Sequence, residues 1–145
     1  MEERFKTFTL LMNGINRSIH KLKTAEMAEY QLKSSHVSCL YYLYKEEMTA
    51  KDLCDICNED KANISRAVKY LEENGFLESK AKTQKKYLTP IRLTEKGKEV
   101  ASRLVTKIDN ILDAAGNGVS DENRRIMYES LATIAKNLNE LCEKN

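Results

Sequence analysis

Asp60-Lys-Ala-Asn-Ile-Ser-Arg-Ala-Val-Lys-Tyr-Leu-Glu-Glu-Asn-Gly-Phe-Leu77 is the stretch whose reading decides the fold. Ile64, Ala67, Val68 and Leu71 recur at helical spacing and form one apolar seam. Lys61, Asn63, Ser65, Arg66 and Lys69 occupy the helix start and the other flanks, a cationic and amide-bearing surface suited to a polyanion. Asp60 is placed to cap the N-terminus and Gly75 the C-terminus. Immediately upstream, Thr49-Ala-Lys-Asp-Leu-Cys-Asp-Ile56 reads as a short helix opened by a Thr49-x-x-Asp52 capping box, with Asp in place of the usual Glu or Gln. The polar turn Cys57-Asn-Glu-Asp60 joins the two helices, so the pair reads as a helix-turn-helix with the second helix as a DNA reader.

Beyond the glycine, Phe76-Leu-Glu-Ser-Lys80 and Tyr87-Leu-Thr-Pro-Ile-Arg-Leu93 read as two strands around the tip Ala81-Lys-Thr-Gln-Lys-Lys86, the wing of a winged helix. Lys80, Lys82, Lys85, Lys86 and Arg92 fall between Ser79 and Arg92 without a single Asp or Glu, although charge is mixed almost everywhere else. A solvated hairpin also tolerates lysines, but this one directly succeeds a helix-turn-helix, where such bias marks an element that touches phosphate. Pro90 has no N–H to donate, which restricts it to an edge or a bulge.

The flanks are helical. Phe5, Phe8, Met12, Ile15, Ile19 and Leu22 keep a 3-4-3-4-3 spacing, a narrow seam like that of one helix lying along another. Met127, Leu131, Ile134, Leu138 and Leu141 repeat it in the last helix, which Ser120 is placed to cap. Between them a helix capped by Thr94 carries Val100, Leu104, Ile108, Ile111 and Ala115 and stops at Gly116-Asn-Gly118. At about 1.5 Å per residue it is roughly 30 Å long, more than a small domain needs for its own core, so its surplus is expected to meet a second copy of the chain. Seam spacing alone is equally that of a bundle packed within one chain.

The expected fold class is therefore mainly α with a small β-hairpin wing: a winged helix-turn-helix lobe plus a helical dimerisation lobe. Residues 34–96 form the winged helix-turn-helix region, with the helix-turn-helix at about 49–74 and the wing at about 76–93. Residues 1–33 and 97–145 form the helical dimerisation region. A length of 145 residues holds one compact domain or two merged lobes. The net charge of +2 is too small to mark a nucleic-acid binder; the placement of the charge is what points to DNA. No apolar run approaches a membrane span and Met1-Glu-Glu-Arg-Phe5 lacks the basic start and apolar block of a signal peptide, so a cytoplasmic location is expected.

Asp60-Lys61, Ser65-Arg66, Val68, Leu71-Glu72 and Asn74-Gly75-Phe76, then Leu93-Thr94-Glu95-Lys96-Gly97, resemble the multiple-antibiotic-resistance-regulator (MarR) type of bacterial transcription factor. The long helices on either side match that family's layout too. The resemblance implies a homodimeric repressor or activator that releases DNA when a small molecule, metal or oxidant acts; a repressor is expected, and the two-fold symmetry of such a dimer makes the expected operator a palindrome. Carried over by matched position, Lys61, Asn63, Ser65, Arg66 and Lys69 would contact DNA from the recognition helix, and Lys82, Lys85 and Lys86 from the wing. The chain departs from the family's usual Asp-x-Arg near the wing tip, where Thr83-Gln-Lys-Lys86 stands. In similar proteins a ligand cleft lies between the dimer lobe and the DNA lobe. The polar stripe Asn13, Asn16, Arg17 and His20, with Tyr41 from the apolar helix Ser35–Tyr44, is in position to line it; the same stripe is also what any solvated helix face looks like.

His36-x-x-Cys39 and Cys54-x-x-Cys57 imitate a zinc spacing across two helices, but the favoured reading is cysteine as a small apolar core residue, with no metal and no cofactor. A metal- or thiol-responsive regulator of the same fold is the alternative, as is a winged-helix module that binds protein. An enzyme is not expected. The Cys-x-x-Cys lies in no strand-helix redox setting, the two histidines have no recognisable nucleophile partner, and there is no glycine-rich phosphate loop.

Overall fold

The computed structural model describes residues 3–26, 28–78 and 88–145. Six α-helices succeed one another in these residues: α1 (Arg4–Glu26), α2 (Ser34–Lys45), α3 (Ala50–Cys57), α4 (Lys61–Glu73), α5 (Glu95–Ala115) and α6 (Asp121–Lys144), with one 3-10 turn at Ala28–Tyr30. The chain divides into two compact units, the first ending at Ile108 and the second Asp109–Asn145.

Local chemistry sets where the helices of the first unit begin and end. Thr49 Oγ accepts from the Asp52 N–H at 3.1 Å while Asp52 Oδ2 accepts from the Thr49 N–H at 3.0 Å, the reciprocal box that starts α3. Hydrogen bonding to the carboxyl, first from the Thr49 backbone N–H and then from its side chain, holds Asp52 below its usual range. Asn58 ends α3 in the left-handed region at φ 53°, and Asp60 then caps α4 by accepting from the Asn63 N–H at 2.7 Å. At the far end of α4, Gly75 sits at φ 81°. Its N–H reaches Glu72 O at 3.1 Å and the Phe76 N–H reaches Leu71 O at 2.9 Å, the Schellman pattern.

The core forms around α2, which packs against α1, α3 and α4. Val37, Cys39 and Leu40 of α2 are fully buried with Leu53 of α3, Leu71 of α4 and Leu104 of α5. Fully burying a Leu or Ile contributes about 1.5–3 kcal/mol, so Ile64 and Leu71 of the α4 seam each add to a core shared with α2, α3 and α5.

A joint at the end of α4 sets the course of the chain beyond it. Thr94 Oγ accepts from the Gly97 N–H at 3.0 Å, capping α5, and donates to Gly75 O at 2.6 Å. Lys96 Nζ donates to Asn74 O at 2.9 Å and lies 4.5 Å from the centre of the Phe76 ring. Gly97 comes so close to this turn that a Cβ there would stand 2.0 Å from Phe76 O. Asn74-Gly75-Phe76 and Thr94-Glu95-Lys96-Gly97 are thus the two halves of one joint, clasping the end of α4 to the start of α5.

Among the described residues the two expected wing strands appear only at their root. Leu77 and Leu93 form an antiparallel bridge, with the Glu78 N–H donating to Arg92 O at 2.9 Å. Ile91 pairs instead with Met48, its N–H reaching Met48 O at 2.8 Å, so the segment just before α3 also joins the wing root. The expected tip, with Lys82, Lys85 and Lys86, and Lys80 at the end of the first expected strand lie outside the described residues.

In the second unit Ser120 caps α6 by accepting from the Asn123 N–H at 3.1 Å. No residue of α6 is buried. Met127, Ile134, Leu138 and Leu141 stay exposed, as do Phe5, Phe8, Ile15, Ile19 and Leu22 of α1.

Candidate nucleic-acid interface

The burial pattern of α4 builds the candidate surface. Ile64, Ala67 and Leu71 turn inward and Val68 is half-buried, which leaves Lys61, Ser65, Arg66 and Lys69 on the exposed side and Asn63 half-buried at its rim. Asp60 orients this surface by holding the first turn through Asn63 N–H. Asn63 Nδ2 also donates to Glu59 Oε2 at 3.0 Å, and Arg66 donates to Asn63 Oδ1. The two side chains best able to read a base edge therefore hold each other, and Glu59 in the turn holds Asn63. Lys69 lies 3.9 Å from Glu73 one turn on, an exposed pair that contributes little to stability. Sequence reasoning did not assign Glu59 to this surface; its place in the turn, one helical turn ahead of Asn63, was the only signal for it.

Of the cationic wing residues, Arg92 is described, and it pairs with Glu47 at 3.3 Å. The described end of the wing is therefore neutralised locally.

Beside α4 opens a groove of about 730 Å³ lined by His20 of α1, by residues of the segment from Gln31 to His36, and by Glu59, Asn63, Arg66, Ala67 and Tyr70. Of the effector residues expected from the sequence, His20 lines this groove. Asn13 and Arg17 are exposed elsewhere on α1, and Tyr41 is half-buried on α2, edge-on to Tyr42. His36 is one of the residues that line this groove. Its Nδ1 accepts from the Lys33 N–H at 2.9 Å, at the start of α2, and its ring stacks on Tyr70 at 4.3 Å. The Tyr70 hydroxyl in turn donates to Gln31 O at 3.0 Å. Burial, helped by the Lys33 charge, holds the His36 imidazole below its ordinary value, so it stands neutral as an acceptor. His36 thus serves α2 as a capping residue.

The cysteines sit between the same helices. Cys39 is fully buried on α2 and its thiol forms a hydrogen bond with that of Cys57, the last residue of α3. That bond and burial push the Cys39 thiol up. Cys57, half-buried, is held below the usual thiol value, first by the same bond and then by the Lys23 charge, against burial and Glu59. Among the described residues no group of three or more His, Cys, Asp or Glu is arranged to hold a metal ion.

Residues 32–97 match the family described as "Winged helix DNA-binding domain". Over nearly its whole length the chain superimposes on a MarR family regulator from Neisseria meningitidis, NMB1585, with a TM-score of 0.84, 19% identity and 99% of each chain covered. The chain has the fold of the MarR regulators. The MarR fold also relates it to the S. aureus MepR–DNA complex, at a TM-score of 0.78 and 16% identity over 90% of this chain and 97% of that one. In sequence it is 26% identical over 130 residues to the HTH-type transcriptional regulator YdgJ of Bacillus subtilis, covering 90% of this chain and 78% of that protein. The expected class, a regulator and not an enzyme, is the class of these relatives. None of the described helices is long and apolar enough to cross a membrane.

Proposed function

We infer that this MarR-type chain is a homodimeric transcriptional regulator, a repressor, that binds palindromic operator DNA and is released by a small-molecule effector. The observation that carries this reading is the division of α4: its apolar seam is sealed in the core, while Lys61, Ser65, Arg66 and Lys69 are presented outward beside Asn63. A guanidinium makes paired hydrogen bonds to a guanine edge and a carboxamide to adenine, so Arg66 and Asn63 are the base readers once they release each other. Lys61, Ser65 and Lys69 hold phosphates and set register, joined by Lys82, Lys85 and Lys86 of the wing. Residues 34–96 act as the DNA-binding region. Residues 1–33 and 97–145 act as the dimerisation region, for which the bare seams of α1 and α6 are the support. Two-fold symmetry then places two copies of α4 in successive major grooves about 34 Å apart and makes the operator a palindrome.

The groove beside α4 is the site where an effector would act most directly, because Asn63 and Arg66 form part of its wall. His20 is the expected effector residue placed there; Asn13, Arg17 and Tyr41 would serve only a ligand bound elsewhere along α1 and α2. The test is to sequence the genomic DNA fragments that the purified protein retains. Enrichment of a palindrome with half-sites one helical turn apart supports the reading, and retention without sequence preference overturns it. Replacing Lys85 and Lys86 together should weaken binding to every sequence and flatten its dependence on salt. Equal salt slopes for variant and parent would remove the wing from the interface.

A further inference from the structure

The carboxamide of Asn63 has two ends of nearly equal shape and opposite chemistry, so its direction is set by what it touches. Its Nδ2 donates to Glu59 Oε2 at 3.0 Å, and its Oδ1 accepts from the Arg66 guanidinium. An ionised carboxylate only accepts and a guanidinium only donates, so each neighbour admits one end of the carboxamide and refuses the other. We propose that Glu59 is a positioning residue for DNA recognition, which fixes the direction of the Asn63 carboxamide and thereby the base that Asn63 reads. This role rests on the function proposed for α4.

The turn builds Glu59 into place. The N–H groups of Asn58 and Glu59 both reach Cys54 O, that of Glu59 at 3.1 Å, with Asn58 in the left-handed region at φ 53°. Asp60 then holds the Asn63 N–H at 2.7 Å, so one turn fixes both the backbone and the side chain of Asn63.

Binding to DNA parts the two neighbours of Asn63. Arg66 leaves for a guanine edge, and the Oδ1 it releases is free to accept from the adenine amino group. Glu59 has no such exchange to make, because phosphates are acceptors as it is, and it keeps Nδ2. Of the two hydrogens on Nδ2, one stays on Glu59 and the other meets adenine N7. Reversed, the carboxamide would set a donor against the adenine amino group. Holding it in the reading direction before DNA arrives also spares the cost of ordering it during binding.

The experiment uses the full chain with Glu59→Gln, which keeps the size of the side chain and replaces an acceptor-only group by one that admits either end of Asn63. The probe is the duplex that the parent selects, with each base pair of a half-site replaced in turn. Asn63→Ala and Arg66→Ala mark the pairs that those residues read. Glu59→Gln should lose about 5-fold or more of the preference at the Asn63 pair and keep the preference at the Arg66 pair. In isotope-labelled protein without DNA, the Asn63 side-chain amide resonance, identified by its absence from Asn63→Ala, should move toward the position of free asparagine in Glu59→Gln. Preference retained at the Asn63 pair, an equal loss at every pair, or a loss at a pair that Asn63→Ala leaves alone would each overturn the proposal, making Glu59 idle, merely structural or itself a base reader. An unmoved amide resonance would overturn it as well. If the parent selects no sequence, the reading of α4 fails and this role with it, while the amide resonance still reports whether Glu59 holds Asn63.

Discussion

α4 and α6 are both amphipathic helices with regular apolar seams, and they end in opposite states. The seam of α4 is sealed, with Ile64 and Leu71 essentially inaccessible. α6 has no buried residue, and Leu138 and Leu141 are 51% and 55% exposed. Helical apolar patterning therefore has two meanings: α4 is satisfied by its own chain, and the apolar residues of α6 stay exposed. Exposed apolar stripes of this length are uncommon on stable monomers and mark association surfaces. The two jobs proposed for the regulator thus fall to two helices, reading to the satisfied one and pairing to the bare one.

Charging the bare seam is the strongest way to break that contrast. Ile134→Lys with Leu138→Lys removes four apolar side chains per dimer because symmetry repeats each change, at about 1.5–3 kcal/mol each. Sedimentation should show a monomer that has lost high-affinity DNA binding; a dimer that persists would show that α6 is not the pairing surface. On the satisfied side, Gly97→Ala forces a Cβ against Phe76 O in the joint at the end of α4. It should cost about 3 kcal/mol in urea unfolding, and a loss below about 1 kcal/mol would mean the joint yields easily.

Arg66→Ala tests the outward face of α4. It should lower operator affinity by about 1–3 kcal/mol, relax specificity and leave the dimer folded. Unchanged affinity in a gel-shift titration would take Arg66 out of the site. The smallest effect concerns His36, which the fold keeps neutral. Its pKa is lowered in the folded chain, so the unfolded chain binds the proton first: stability is full above the ordinary value of 6.5 and declines as pH falls from 6.5 toward the folded value. Urea midpoints for His36→Gln against the parent should diverge less at pH 5 than at pH 8. A constant difference across that range would show that His36 titrates alike in both states.

The parts of the fold legible in the sequence are those set by near neighbours. Asp60, the Thr49–Asp52 box, Thr94 and Ser120 cap where their spacing placed them, because a cap is decided within four residues. The seam of α4 was equally plain. Contacts across the chain were not. Asn74-Gly75-Phe76 and Leu93-Thr94-Glu95-Lys96-Gly97 stood out as motifs, but the approach of Gly97 to Phe76 O joins distant parts of the chain and has no periodic signal. The pairing of Ile91 with Met48 is a single bridge, too short to alternate. His36 showed in the sequence only a zinc-like spacing to the cysteines, a reading not favoured there; its bond to Lys33 N–H and its stack on Tyr70 had no signal of their own. The candidate site was half legible: the outward residues of α4 come from helical phase, whereas the Glu59–Asn63–Arg66 chain depends on side-chain directions that phase does not fix.

If two copies of this chain read one face of a duplex through paired α4 helices, the stoichiometry and the footprint of the complex must agree. Hydroxyl-radical footprinting on the selected palindrome, with the mass of the same complex measured in parallel, reads both. Two chains per duplex and two protected patches centred about 10–10.5 base pairs apart on one face are the expected result. One chain per duplex with a single protected patch would contradict the paired reading.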